Sequence, residues 1–138
     1  MNLPHVNYLA VLVSAIAMFI LGGLWYSPVL FAKKWVALIG KTEEELKASA
    51  SGPLPYVFVF ICAFITSWVL ALVLNHFLHH WSWLGGAEVG ALCWLGFAGA
   101  TSYGSAMFSG KPKALWLIDS GYNLVAFVIG GMILGCWR

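Results

Sequence analysis

The chain has 138 residues, of which 62% are hydrophobic and 9% charged, with a formal net charge of +2 and a mean hydropathy of +0.88. Soluble domains stay near half apolar, so this composition excludes an ordinary soluble domain and places the chain in a bilayer. The lysines are balanced by acids and form no basic stripe, so no nucleic-acid partner is expected.

A helix needs about 20 apolar residues to cross hydrocarbon, and four runs qualify, at residues 7–31, 54–77, 86–108 and 114–137. The first lacks a basic start and outlasts the core of a cleavable signal peptide, so it reads as a retained helix. Pro28, Lys33 and Lys34 close it. The inner loop 32–53 follows, and its stretch FAKKWVALIGKTEEELKAS mixes apolar and charged residues. Thr42 and Glu45 match a capping box there. A short amphipathic segment lying on the surface near anionic lipid is expected, with a partner-docking loop as the alternative. The second run opens at Pro53 and Pro55, which a first helical turn tolerates.

The third run begins at Gly85-Gly86 and is rich in small residues. In a membrane, helices approach closely through such residues. Gly86 with Gly90, and Gly96 with Ala100 and Gly104, repeat every four residues, and the fourth run carries Gly131 and Gly135. The third helix is therefore expected to be the central one, contacting its neighbours or another protomer. The fourth run starts behind Pro112. The expected architecture is a single domain, residues 1–138: an all-α integral membrane protein with four transmembrane helices in a small bundle, forming a homo-oligomer.

Lysine and arginine favour the cytoplasmic side of short loops. Lys33, Lys34, Lys41 and Lys47 join the first two runs, Lys111 and Lys113 join the last two, and Arg138 stands alone opposite. Both termini should then be outside. Trp25, Tyr26, Trp35, Tyr56 and Trp116 fall at the inner interface, and Tyr8, Trp81, Trp83 and Trp137 at the outer one. The expected location is a bacterial inner membrane, with the bilayer as partner.

An ionisable group within a span is a functional hypothesis by default. Asp119 lies about 10 Å inside the fourth run, counting 1.5 Å per residue from Pro112. Tyr122 and Asn123 follow at three and four residues, on one helical face. Ser102, Tyr103 and Ser105 reach the same depth, and Tyr26, Ser27 and Tyr56 approach from the first two runs. The cluster reads as structural glue, with a proton- or substrate-handling role as the alternative.

The stretch NHFLHHW, residues 75–81, holds three of the four histidines. If the second helix continues through His80, then His76 with His79 or His80 could place two imidazoles on one metal, with Glu88 or His5 completing the set. Its HxxHH pattern resembles one histidine box of membrane desaturases and hydroxylases, which rely on several boxes with many more histidines. The bland reading is an interfacial helix end, and a pH-sensitive outer surface lies between the two. Glu88 is expected in the first turn of the third helix, where the helix dipole favours it. Cys62, Cys93 and Cys136 lack metal-ligand spacing and read as small apolar residues. No histidine is expected near Ser102 and Ser105, so no hydrolytic triad forms. The first helix lacks the acid on which compact four-helix multidrug exporters depend.

The segments NYLAVLVSAIAMFILGGLWYSPVLFAKKW and FSGKPKALWLIDSGYNLVAFVIGGMILGCW resemble the uncharacterised bacterial membrane family called domain of unknown function 1761. Tyr26, Pro28 and Trp35 sit in the first, and Pro112, Asp119, Tyr122 and Trp137 in the second. The resemblance covers essentially the whole chain and is most specific in LWYSP and LIDSGY; Ala32 stands where the family has Gly. It implies a small helical membrane protein and supplies no settled activity, so no catalytic residue is carried over. The expected role is a non-catalytic structural or accessory subunit. A small carrier, channel-like or ligand-binding protein using the Asp119 cluster is the first alternative, and a metal-binding enzyme at the histidine face the second. Enzymatic activity is left open, and no cofactor beyond that metal is expected.

Overall fold

A computed structural model describes residues 2–49 and 52–137, apart from the side chain of Glu43. Its regular elements are all helical: α1 (Tyr8–Trp25), α2 (Ala32–Ile39), α3 (Glu43–Ser49), α4 (Leu54–Phe77), α5 (Trp83–Cys93), a π-helical segment (Trp94–Gly99), α6 (Ala100–Ser109) and α7 (Lys113–Cys136). Arg138, the expected outer charge, lies outside the described residues.

Local chemistry sets most of these boundaries. The Asn7 side chain accepts from the Leu9 and Ala10 N–H groups at 3.1 and 3.3 Å and starts α1, satisfying donors that a helix start leaves unpaired. Pro28 prevents the helix from running to residue 31. The chain turns instead, with the Phe31 N–H reaching the Trp25 carbonyl at 3.2 Å. The inner loop forms two short helices. Gly40, at φ 75°, closes α2 in the left-handed conformation that glycine adopts freely. The Glu45 N–H donates to Thr42 Oγ1 at 3.1 Å at the start of α3. Ser82 Oγ accepts from the Gly85 N–H at 3.0 Å. The third helical stretch thus begins at Trp83, and Glu88 falls in its second turn rather than its first.

Among the described residues, α1, α4 and α7 are each long and apolar enough to cross a membrane. The stretch 83–109 is helical throughout, with the π segment in its middle. There the Trp94 indole lies against Gly99, where an added Cβ would come within 3.0 Å of the ring.

The expected central position of the third helix is corrected by the packing. The hub is α7, which touches α1, α2, α4, α5, the π segment and α6, whereas α6 packs mainly on α7 and the π segment. Two glycine pairs bring α5 and α7 backbone to backbone. An added methyl at Gly86 would strike the Gly131 carbonyl, one at Gly90 the Phe127 carbonyl, and one at Gly135 the Ser82 carbonyl. The other small stripe behaves differently, since Gly96 and Gly104 have open space where a side chain would stand.

The interior uses small side chains, among them Ala10, Val11, Ala15, Ala63 and Ala71. Met18, Leu70, Leu74 and Leu134 fill the space between them, while many large apolar groups point out, with Phe97 80% and Phe108 98% exposed. A helix bundle that turns its bulk apolar surface outward fits hydrocarbon as solvent.

Candidate functional site

Asp119 lies in the second turn of α7, where both carboxylate oxygens are engaged. The Tyr26 hydroxyl, one residue beyond α1, donates to Oδ1 at 2.7 Å. The Lys111 ammonium, on the α6–α7 loop, donates to Oδ2 at 3.0 Å. Gly110, at φ 72°, turns the chain at the end of α6 just before this lysine. The pair is about one-third exposed, at 34% for the Lys111 side chain and 31% for Asp119. Lys111 thus keeps its charged end partly exposed while bonding inward.

The neighbouring groups hold this arrangement. Trp25 Nε1 donates to the Ile118 carbonyl at 2.9 Å. Consecutive residues at the end of α1 therefore grip consecutive residues of α7. The Tyr26 ring stands edge-on to Trp35 of α2 at 5.7 Å and to Tyr122 at 5.8 Å. Burial, and then the hydrogen bond to the Asp119 carboxylate, push the Tyr26 hydroxyl far above the ordinary phenol range. The Tyr122 hydroxyl donates to the Met18 carbonyl at 2.9 Å. Gly22 clears its path, because a Cβ there would come within 3.2 Å of that oxygen.

Ser102 and Tyr103 of the expected cluster belong to a second network on another side of α7. Ser102 Oγ lies 3.2 Å from Ser120 Oγ and donates to the Gly99 carbonyl at 3.1 Å. Trp116 Nε1 donates to Ser102 Oγ at 3.0 Å, and Trp94 Nε1 to the Ser120 carbonyl at 3.0 Å. Tyr103 contributes its ring, 5.0 Å from that of Trp116. The single cluster of the sequence reading is thus two networks, because α7 is sandwiched between α1 and the α5–α6 stretch and each turn divides its polar residues between them.

Asn123 joins neither network. It lines a cavity of about 150 Å³ beside Thr66 and Cys62 of α4. A larger cavity, about 540 Å³, is lined by Phe19, Gly22, Gly23, Tyr26, Tyr56, Val59 and Tyr122. Tyr56 approaches Tyr26 there without meeting Asp119, and Ser27 Oγ turns back to the Leu24 carbonyl at 2.6 Å. Lys111, Ser120, Trp25, Trp94 and Trp116 are the partners that sequence reasoning missed. For Lys111 the only signal is a cation eight residues before the acid, across a Gly-Lys-Pro turn.

The histidine face assembles differently from the expectation. α4 ends at Phe77, and Leu78 is extended at φ −93°, ψ 115°. His79 and His80 therefore leave the helical register that would have stacked them on His76. The His76 ring stands edge-on to Phe77 at 5.0 Å, and the His5 carbonyl accepts from Asn75 Nδ2 at 3.0 Å. His5, His76, His79, His80 and Glu88 are all exposed. Among the described residues no three His, Cys, Asp or Glu side chains come together to hold a metal.

The family model for protein of unknown function (DUF1761) matches residues 9–135. The chain belongs to that family. No curated protein and no solved structure matches it. The matched stretch contains every residue of both α7 networks and omits His5.

Proposed function

We propose that the chain is a non-catalytic, homo-oligomeric structural or accessory subunit of a bacterial inner membrane. One observation carries this reading: both oxygens of the intramembrane carboxylate are already bonded, by Tyr26 and Lys111. A group that handles protons or substrate needs a free face, whereas here the charge joins the end of α1 and the α6–α7 loop to α7. In this reading the stretch 83–109 is a fourth transmembrane span, since about 40 Å of helix at 1.5 Å per residue exceeds the hydrocarbon thickness. The six lysines of the inner loops fall at one end of the bundle, which supports both termini being outside. Oligomer contacts fall to the open Gly96–Ala100–Gly104 face, because Gly86 and Gly90 are consumed within the protomer.

The test compares Asp119→Asn, Tyr26→Phe and the double variant by thermal melting and by mass of the detergent-solubilised particle. Asp119→Asn should lower the melting temperature or the oligomer mass, and the double variant should cost less than the two single losses together. An Asp119→Asn protein with unaltered melting and mass overturns the reading.

The carrier or ligand-binding alternative is favoured by the cavity of about 540 Å³ beside Tyr26, within the range of small-molecule sites. It predicts that Asp119→Asn melts normally and loses a small molecule that native mass spectrometry finds on the wild-type protein.

A further inference from the structure

A separate groove lies on the lipid-facing side of the lysine-bearing end, between the α1–α2 turn and the start of α7. It has a volume of about 240 Å³ and is lined by Trp25, Phe31, Lys34, Ala114, Leu117 and Ile118. Its wall is fixed, because the Trp25 indole is held by the Ile118 carbonyl at 2.9 Å and packs on the Phe31 ring at 4.9 Å. Leu117 is 61% exposed, so the groove opens sideways to the bilayer. Lys34 is its sole charged lining group. Lys113 opens α7 four residues before Leu117, on the same helical face, so a second lysine stands on the side of α7 that forms the apolar slot.

These lysines are exposed. The one ion pair among the described residues is Lys111–Asp119, so Lys33, Lys34 and Lys113 pair with no carboxylate among them. Neither α2 nor α7 carries an acid in its first turn. An apolar slot beneath unneutralised ammonium groups is complementary to a molecule with an anionic head and a hydrocarbon tail.

We propose that this groove binds one anionic phospholipid, with its phosphate at Lys34 and Lys113 and an acyl chain between Phe31 and Leu117. A free phosphate shares the head chemistry and has no use for the apolar wall. A zwitterionic lipid supplies the tail but brings its own cation to the lysines. The site adjoins the Tyr26–Asp119–Lys111 contacts through Trp25 and Ile118 but is lined by none of those three side chains, and the proposal stands or falls independently of the role given to them.

The full chain in detergent, mixed with equimolar dioleoyl phosphatidylglycerol and dioleoyl phosphatidylcholine, tests this by native mass spectrometry. The wild-type protein should retain phosphatidylglycerol in preference, at one molecule per chain. Lys34→Gln should reduce that preference about fivefold, the effect of one basic residue at an anionic surface. Ala114→Trp, which fills the slot and keeps the lysines, should abolish retention, and Lys47→Gln should leave it unchanged. Melting curves confirm that each variant is folded, and Lys34→Gln, a surface change, keeps the test valid should Ala114→Trp fail to fold. Equal retention of the two lipids overturns the proposal, as does equal loss in Lys34→Gln and Lys47→Gln. Displacement of the lipid by inorganic phosphate, with Ala114→Trp binding normally, would reveal an anion site without a tail and also overturn it.

Discussion

Two buried serines on neighbouring helices have opposite circumstances. Ser67 Oγ donates to the Val11 carbonyl at 2.9 Å and ties α4 to α1, whereas the equally buried Ser14 Oγ has no partner among the described residues. A buried hydroxyl without a partner carries an uncompensated desolvation cost. Ser14→Ala should therefore leave stability unchanged or raise it by about 1 kcal/mol, and Ser67→Ala should lower it by about 1 kcal/mol; thermal melting of both in one detergent compares them. Tyr26 makes a prediction about pH. Its hydroxyl is raised in the folded state, so its contribution is fully present below the unfolded phenol value of about 10 and fades as pH rises above it. The stability gap between wild type and Tyr26→Phe should accordingly be constant to about pH 10 and shrink beyond it. Asp119 was legible as a singular residue because an acid in an apolar run stands out. Lys111 was not, because its reach depends on how the Gly110 turn directs the loop.

The glycine stripes of α5 and of the π segment with α6 look alike in sequence and have different surroundings. Gly86→Ala or Gly131→Ala drives a methyl into an opposing carbonyl, so each should cost about 2–3 kcal/mol or prevent folding. Gly96→Ala and Gly104→Ala enter open space within the protomer, so they should spare its fold and weaken instead the oligomer proposed for that face. The yield and melting temperature of the four purified proteins separate the pairs; equal losses would mean that α5 and α7 do not meet as described. Helix ends divide in the same way. The start of α4 at Leu54 was readable, since Pro53 and Pro55 mark it. The break after Phe77 that dismantles the histidine spacing carries no proline or glycine. It was invisible until the chain was seen to turn there toward Ser82, whose N–H bonds the Gly135 carbonyl at 2.9 Å.

The bundle as a whole packs many small side chains within and leaves many large apolar ones outside. Cys62, in the middle of α4, is exposed on the protein surface, and in a bilayer that surface faces hydrocarbon. A membrane-impermeant maleimide should leave Cys62 unmodified in sealed vesicles and label it once detergent denatures the protein; rapid labelling in intact vesicles would contradict the embedding. Composition and the length of apolar runs were enough to anticipate an all-helical chain with helices long and apolar enough to cross a membrane, and most helix starts, because those properties depend on residues within a few turns of one another. They also showed that small residues would carry close contacts. The tertiary structure decided which glycines face a neighbour and which face out, that α7 is the hub, and that one polar stripe serves two networks. Those outcomes depend on the rotation of each helix about its axis and on where its neighbours cross it, and a single residue of rotation moves a side chain from one partner to another.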